Sequence, residues 1–128
     1  MRPFFLFLIL SIPLLSIAQS EQDVFVPIAK YLQNGDAERL SAWFASNLEI
    51  DVMGNSNVCS KQQGKQILKE FFEEYSPKSF EIAYKSGKAP MKYAIGILKA
   101  GGSSFRVTLF VKTEERGNFI QQLRIEKE

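Results

Sequence analysis

An α+β fold is predicted, in which a curved antiparallel sheet wraps around one long helix behind an N-terminal helical hairpin. Three observations predict it. Between Phe25 and Tyr75 the apolar residues recur mainly at helical spacing, whereas from Phe80 to Ile125 they alternate with polar ones. The alternating runs are separated by the short turns SGKAP, AGGS and EERG, which join neighbouring strands antiparallel. The third helical stripe, Ile67, Leu68, Phe71, Phe72 and Tyr75, is the largest concentration of apolar area in the chain. A sheet curved around it buries both apolar sets at once.

The elements follow in order. Phe25, Ile28, Ala29 and Leu32 make a short first helix, with Pro27 tolerated near its first turn and NGD closing it. Asp36 caps a second helix in which Ala37, Leu40, Trp43 and Phe44 share a face and Ser46 and Asn47 mark the end. LEIDVMG alternates Leu48, Ile50 and Val52 against polar neighbours and reads as a strand, followed by a turn at GNSN and a brief strand at VCS. Ser60 and Gln63 stand three apart, as a capping box requires at the start of the third helix, which stops before Pro77. Four strands complete the chain: SFEIAYK, with Phe80, Ile82 and Tyr84 in phase, then MKYAIGILKA, SFRVTLFVK and NFIQQLRIE.

Residues 1–18 stand apart from this pattern. A single charge at Arg2, an apolar run from Phe4 to Leu15 and small residues at Ser16 and Ala18 read as a secretory leader cleaved after Ala18. Residues 19–128 then form one domain, exported to the periplasm or the medium, with no integral membrane anchor after cleavage. Without Arg2 the chain carries fifteen basic residues against fourteen acidic, which gives no electrostatic reason to expect nucleic acid as a partner. Cys59 is the one cysteine, so no disulfide closes within the chain, and it reads as a small buried hydrophobe.

The wording ILKEFFEEYSPKSFEI, YAIGILKAGGSSFRVTLFVK and NFIQQLRIE, together with the element order, resembles a family of small exported bacterial proteins within the nuclear transport factor 2-like (cystatin-like) superfamily. That family is labelled as a domain of unknown function. The resemblance covers most of residues 24–126 and implies a cone-shaped α+β fold, but no activity. The superfamily holds enzymes such as ketosteroid isomerase, scytalone dehydratase and limonene epoxide hydrolase beside binding and scaffolding members, and fold does not choose among them.

The residues narrow the choice. The chain has no histidine, which excludes imidazole acid–base work, and with one cysteine it cannot assemble a zinc site of familiar composition. No metal and no cofactor are expected, and no catalytic residue is assigned. An isomerase-like site would need a carboxylate base such as Asp51 facing a donor such as Tyr84 or Tyr93 inside an apolar cavity. Asp51, however, is out of phase with Ile50 and Val52 and reads as solvent-facing. An epoxide-hydrolase arrangement would bridge two carboxylates by Arg106 or Arg124, but Glu81 and Glu126 lie near strand ends.

The candidate site is the mixed face of the last hairpin. Simple pairing puts Arg106, Thr108 and Phe110 beside Ile120, Gln122 and Arg124, and turns Phe105, Val107, Leu109, Val111, Phe119, Leu123 and Ile125 to the core. Ala94 and Gly96 on the neighbouring strand are expected to leave room on that mixed face. Arg106, Phe110, Gln122 and Arg124 are the candidate binding residues, on a face that suits a homodimer, an unknown protein, a small carboxylate-bearing or peptide ligand, or plain solvent. The sequence reading is an exported, non-enzymatic binding or protein-interaction domain. Small-molecule or peptide binding in the cone cavity is the alternative, and isomerase- or dehydratase-like catalysis the third reading.

Overall fold

A computed structural model describes residues 23–128, and the expected leader at 1–18 lies outside the described residues. Three helices, α1 (Phe25–Asn34), α2 (Ala37–Ser41) and α3 (Lys61–Glu74), accompany six strands. The strands are β1 (Phe44–Val52), β2 (Asn55–Ser60), β3 (Pro77–Lys88), β4 (Met91–Ala100), β5 (Ser103–Glu114) and β6 (Gly117–Lys127). They form one curved sheet in the order β2-β1-β6-β5-β4-β3. Four of the five pairings are antiparallel; β1 runs parallel to β6, with Ile50 beside Leu123 and Asp51 beside Arg124. No helix among the described residues is long and apolar enough to cross a membrane.

The helix signals act as read. Gly35 closes α1 in the left-handed conformation at φ 65°, and the Asp36 carboxylate accepts from the Arg39 N–H at 3.0 Å to start α2. At α3 the Gln63 N–H donates to Ser60 Oγ at 3.2 Å, and the Ser60 N–H donates to Gln63 Oε1 at 3.1 Å. Helix α2 is shorter than its apolar spacing suggests. It stops at Ser41, because the Trp43 carbonyl accepts the Ile120 N–H and Phe44 then enters β1, fully buried. Pairing with β6 outcompetes one more helical turn.

The core lies between the helices and one side of the sheet. Phe71 meets Phe105 edge-on at 5.1 Å and Tyr75 meets it at 5.0 Å, which fixes α3 on the central strand β5. Gly64 brings the start of α3 close to β1: a Cβ there would lie 3.0 Å from both Phe44 and Ile50 side chains. Cys59 is buried opposite Leu48 on β2, as its small apolar character suggests, and burial pushes its thiol pKa up.

Register shifts interrupt the sheet at four points, and two of them decide which side chains reach the open face. In β6 Phe110 pairs with Gln122 but Val111 pairs with Ile120, so Gln121 is the extra residue. Ile120 therefore turns into the core with no exposure. Phe119 turns out beside Lys112, beneath the Arg116 guanidinium at 4.8 Å, reversing the sides expected for both. In β3 the extra residue is Ala83, between the pairs Ile82–Gly96 and Tyr84–Ile95, and it sends Tyr84 to the opposite side from Phe80 and Ile82.

Candidate functional site: the open face of the sheet

Strand pairing places the side chains of the helix-free face in rows that cross the sheet. One row runs Glu81, Ile97, Arg106, Glu126 from β3 to β6. The next runs Tyr84, Ile95, Thr108, Arg124, Asp51, Ser56 from edge to edge. The third runs Ser86, Tyr93, Phe110, Gln122, Glu49, Val58. Residues in register share a face, so Arg106, Phe110, Gln122 and Arg124 all stand on this one. They occupy adjacent positions on β5 and β6.

The face divides into two halves. On β3, β4 and β5 the rings of Tyr84, Tyr93 and Phe110 form a continuous row, with centroids 5.9 Å and 5.4 Å apart and the last pair stacked. Ile95 and Ile97 lie half-buried beside it, while Tyr84 keeps 52% and Met91 43% of their surface exposed. On β6, β1 and β2 the side chains are polar apart from Phe119 and the exposed Val58, with Arg124 and Gln122 next to Asp51 and Glu49. The Nε of Arg124 is buried and has no hydrogen-bond partner, and no ion pair joins Arg106 or Arg124 to an acid among the described residues. A buried guanidinium donor without an acceptor is costly.

The aromatic row was hidden from alternation. Tyr84 reads as a core residue until the Ala83 bulge is known, and Tyr93 becomes significant only once β3 and β5 bring Tyr84 and Phe110 to its flanks. Ala94 and Gly96 are not on this face, contrary to the expected roomy floor. They point at the helices, where Ala94 is fully buried and a Cβ on Gly96 would collide with the Phe80 ring.

Arg106 stands in register with Glu126, but the isomerase-like pairing of Asp51 with a tyrosine does not come together. Asp51 lies three strands from Tyr93, roughly 14 Å at the usual strand spacing. Its carboxylate instead accepts the Gly54 N–H at 3.0 Å and shapes the β1–β2 turn. The Tyr93 phenol is held above its ordinary pKa chiefly by its hydrogen bond with Tyr84, which makes it a weaker acid. Beneath the sheet, Leu98, Phe105, Val107, Leu109, Leu123 and Ile125 have no exposure, so the helix-facing side of the central strands is packed. Among the described residues no group of three or more His, Cys, Asp or Glu side chains is arranged to hold a metal ion.

The profile of the family described as "Domain of unknown function (DUF4783)" matches residues 25–126. No curated protein matches the chain. Among solved structures, a DUF4783 family protein from Bacteroides uniformis is similar at 21% identity and TM-score 0.79, covering 83% of this chain and 98% of its own. A domain of unknown function with a cystatin-like fold from Nostoc punctiforme is similar at 10% identity and TM-score 0.64, covering 79% and 70%. An NTF-2 like protein of unknown function from Silicibacter pomeroyi is similar at 15% identity and TM-score 0.63, covering 89% and 98%. These likenesses place the fold among nuclear transport factor 2-like, cystatin-like domains.

Proposed function

The chain belongs to the DUF4783 family, and we propose that it is a non-enzymatic interaction domain that associates with a second copy of itself through the open face of the sheet. The observation that carries this reading is the aromatic row Tyr84, Tyr93 and Phe110, flanked by Ile95 and Ile97 on a side that no helix among the described residues covers. Contiguous apolar and aromatic surface rimmed by polar residues is the anatomy of a protein contact. The charges favour a second copy as the occupant. Lys88, Lys99, Arg106, Lys112 and Arg124 are matched on the same face by Glu49, Asp51, Glu81, Glu114 and Glu126. A face that balances its own charges can meet itself without net repulsion.

The test is light scattering coupled to size exclusion on the chain and on Phe110→Asp. A dimer that becomes a folded monomer, with unchanged circular dichroism, supports the proposal. A wild-type monomer at micromolar concentration, or a dimer indifferent to Phe110→Asp, overturns it. Loss of a bound small ligand on Arg124→Ala with unchanged mass would instead make the face a ligand site.

Export belongs to the same proposal and rests on Arg2, the apolar run Phe4–Leu15 and the small residues Ser16 and Ala18. Mass spectrometry of the protein from its own cells is expected to find a chain beginning at Gln19. A chain beginning at Met1 in the cytoplasm would refute export.

A further inference from the structure

The two edges of the sheet are built differently: β3 ends it on one side and β2 on the other. An edge strand presents unpaired N–H and C=O groups, and proline, lysine and bulges are common means of keeping other chains off it. β3 has all three, in Pro77, in Lys78, Lys85 and Lys88, and in the register shifts at Pro77–Ser79 and at Ala83. β2, with the sequence NSNVCS, has no charge, no proline and no bulge, and it pairs with β1 without interruption from Asn55 to Ser60.

Which groups of β2 point outward follows from its neighbours. Met53 at φ 50° and Gly54 at φ 92° make the two-residue primed turn, whose flanking pair, Val52 and Asn55, exchanges hydrogen bonds. Alternation then gives Asn55, Asn57 and Cys59 to the β1 ladder and turns the N–H and C=O of Ser56 and Val58 to the free edge. The far side of β1 agrees. The Met53 N–H donates to the Ile125 carbonyl at 2.8 Å, so Asp51 and Met53 bond toward β6 while Ile50 and Val52 bond toward β2. The next outward N–H, that of Ser60, donates to Gln63 Oε1 in the capping box of α3. Among the described residues no further backbone hydrogen bond reaches Ser56 or Val58. The Val58 side chain beside these groups keeps 78% of its surface exposed, more than any other large apolar residue described.

The surroundings select the sign of the partner. On the open face Ser56 is in register with Asp51 and Val58 with Glu49; on the helix side Asn55 and Asn57 adjoin Glu70 and Glu74 of α3. Against these acids stand Arg124, one strand further in beside Asp51, and Lys61, which opens α3. A second copy of β2 would bring the same acids against these, whereas a basic strand is drawn to the edge from both faces.

We propose that the β2 edge accepts an extended basic segment of another protein as a further strand. The backbone of that segment pairs with the N–H and C=O groups of Ser56 and Val58, and an apolar side chain covers Val58. Its lysine or arginine side chains flank the contact, toward Glu49 and Asp51 on one face and toward Glu70 and Glu74 on the other.

The experiment is a ¹H–¹⁵N NMR titration of the chain with the peptide acetyl-Lys-Lys-Val-Thr-Val-Lys-Lys-amide. Saturable shifts centred on the Ser56 and Val58 amides, with slowed hydrogen exchange at those two, are expected. Binding should weaken tenfold or more when the three central residues of the peptide are N-methylated, when glutamates replace its lysines, and in the Val58→Pro chain. Val58→Pro removes an N–H that the β1 ladder does not use, a place where an edge strand tolerates proline, and unchanged circular dichroism checks the fold. The N-methylated peptide tests the same pairing without altering the protein. No saturable shift with the basic peptide, equal binding by either altered peptide, or binding unchanged by Val58→Pro would each overturn the proposal. Ser56 and Val58 amides protected without peptide, at concentrations where the chain self-associates, would make the occupant a second copy and overturn it as well. The Phe110→Asp chain is expected to bind the peptide equally; loss of binding there would move the contact to the open face and overturn the edge.

Discussion

Both sides of the sheet carry large apolar side chains, more of them on the helix-facing side, and the two differ in what closes over them. On the side facing the helices, Leu98, Phe105, Val107, Leu109, Ile120, Leu123 and Ile125 have no exposure, and a single glycine, Gly96, makes room for the Phe80 ring. On the other side Tyr84, Met91, Tyr93, Ile95, Ile97 and Phe110 are as contiguous, yet no helix among the described residues reaches them, and Tyr84 keeps half of its surface in contact with water. Apolar area that folding covers serves stability. Apolar area left contiguous and uncovered indicates a role after folding.

The strongest way to test that contrast is to truncate one residue on each side. Leu109 and Ile95 lie on neighbouring strands, one pointing at the helices and the other away, with Leu109 paired to Ala94 and Ile95 to Thr108. Leu109→Ala should cost about 2–5 kcal/mol in denaturant unfolding, because it removes packed atoms and leaves a cavity that the fully buried neighbours do not fill. Ile95→Ala should cost about 1 kcal/mol or less at low protein concentration, as half-exposed sites do. Raising the concentration sharpens the comparison. The Leu109→Ala penalty should stay constant while the Ile95→Ala penalty grows as copies associate. Equal penalties at both sites, independent of concentration, would mean that the two sides are not functionally distinct.

How much of this was legible in the sequence depended on where local rules run unbroken. The capping box at Ser60 and Gln63, the Gly35 helix stop and the three tight turns each have a chemistry that only a few residues supply, so α1, α3 and the hairpins of β3 to β6 could be read directly. Arg106, Phe110, Gln122 and Arg124 could be placed on one face because the alternation is unbroken from the Arg106–Glu126 pair to the Phe110–Gln122 pair, and the extra residue Gln121 lies just beyond it. The failures occur at the bulges. Ala83 and Gln121 have no special chemistry as bulge residues; they are extruded because the pairings on either side are each best satisfied in a different register. Their insertion reversed the sides of Tyr84, Phe119 and Ile120 and concealed the aromatic row. The parallel pairing of β1 with β6 was equally invisible, since it joins segments far apart in the chain and rests on no turn. It also ends α2 at Ser41, where helical spacing alone would have run on to Phe44.

The smallest expected effect lies at the rim of the covered side, where α1 is pinned to the edge strand. Lys85, on β3 in register with Ala94, hydrogen-bonds the Asp23 carboxylate, whose other oxygen accepts the Phe25 N–H at 2.8 Å. Burial acts to raise the Asp23 pKa, but the hydrogen bonds from Lys85 and the Phe25 backbone and the positive charges of Lys85 and Lys92 outweigh it and hold it below the ordinary carboxylate value. A depressed folded-state pKa means that the unfolded chain takes up the proton first. The contribution is therefore full above the unfolded value, about 3.9, and is lost as pH falls through the lower folded value. Both side chains are partly exposed, so solvent screening keeps the effect modest. In melting curves between neutral pH and about pH 2, Lys85→Ala should lie slightly below the wild type at neutral pH and converge on it in acid. A difference that persists unchanged into acid would mean that Lys85 holds the edge by packing its aliphatic stem against α1, with the carboxylate incidental. The rim would then belong energetically to the covered side of the sheet.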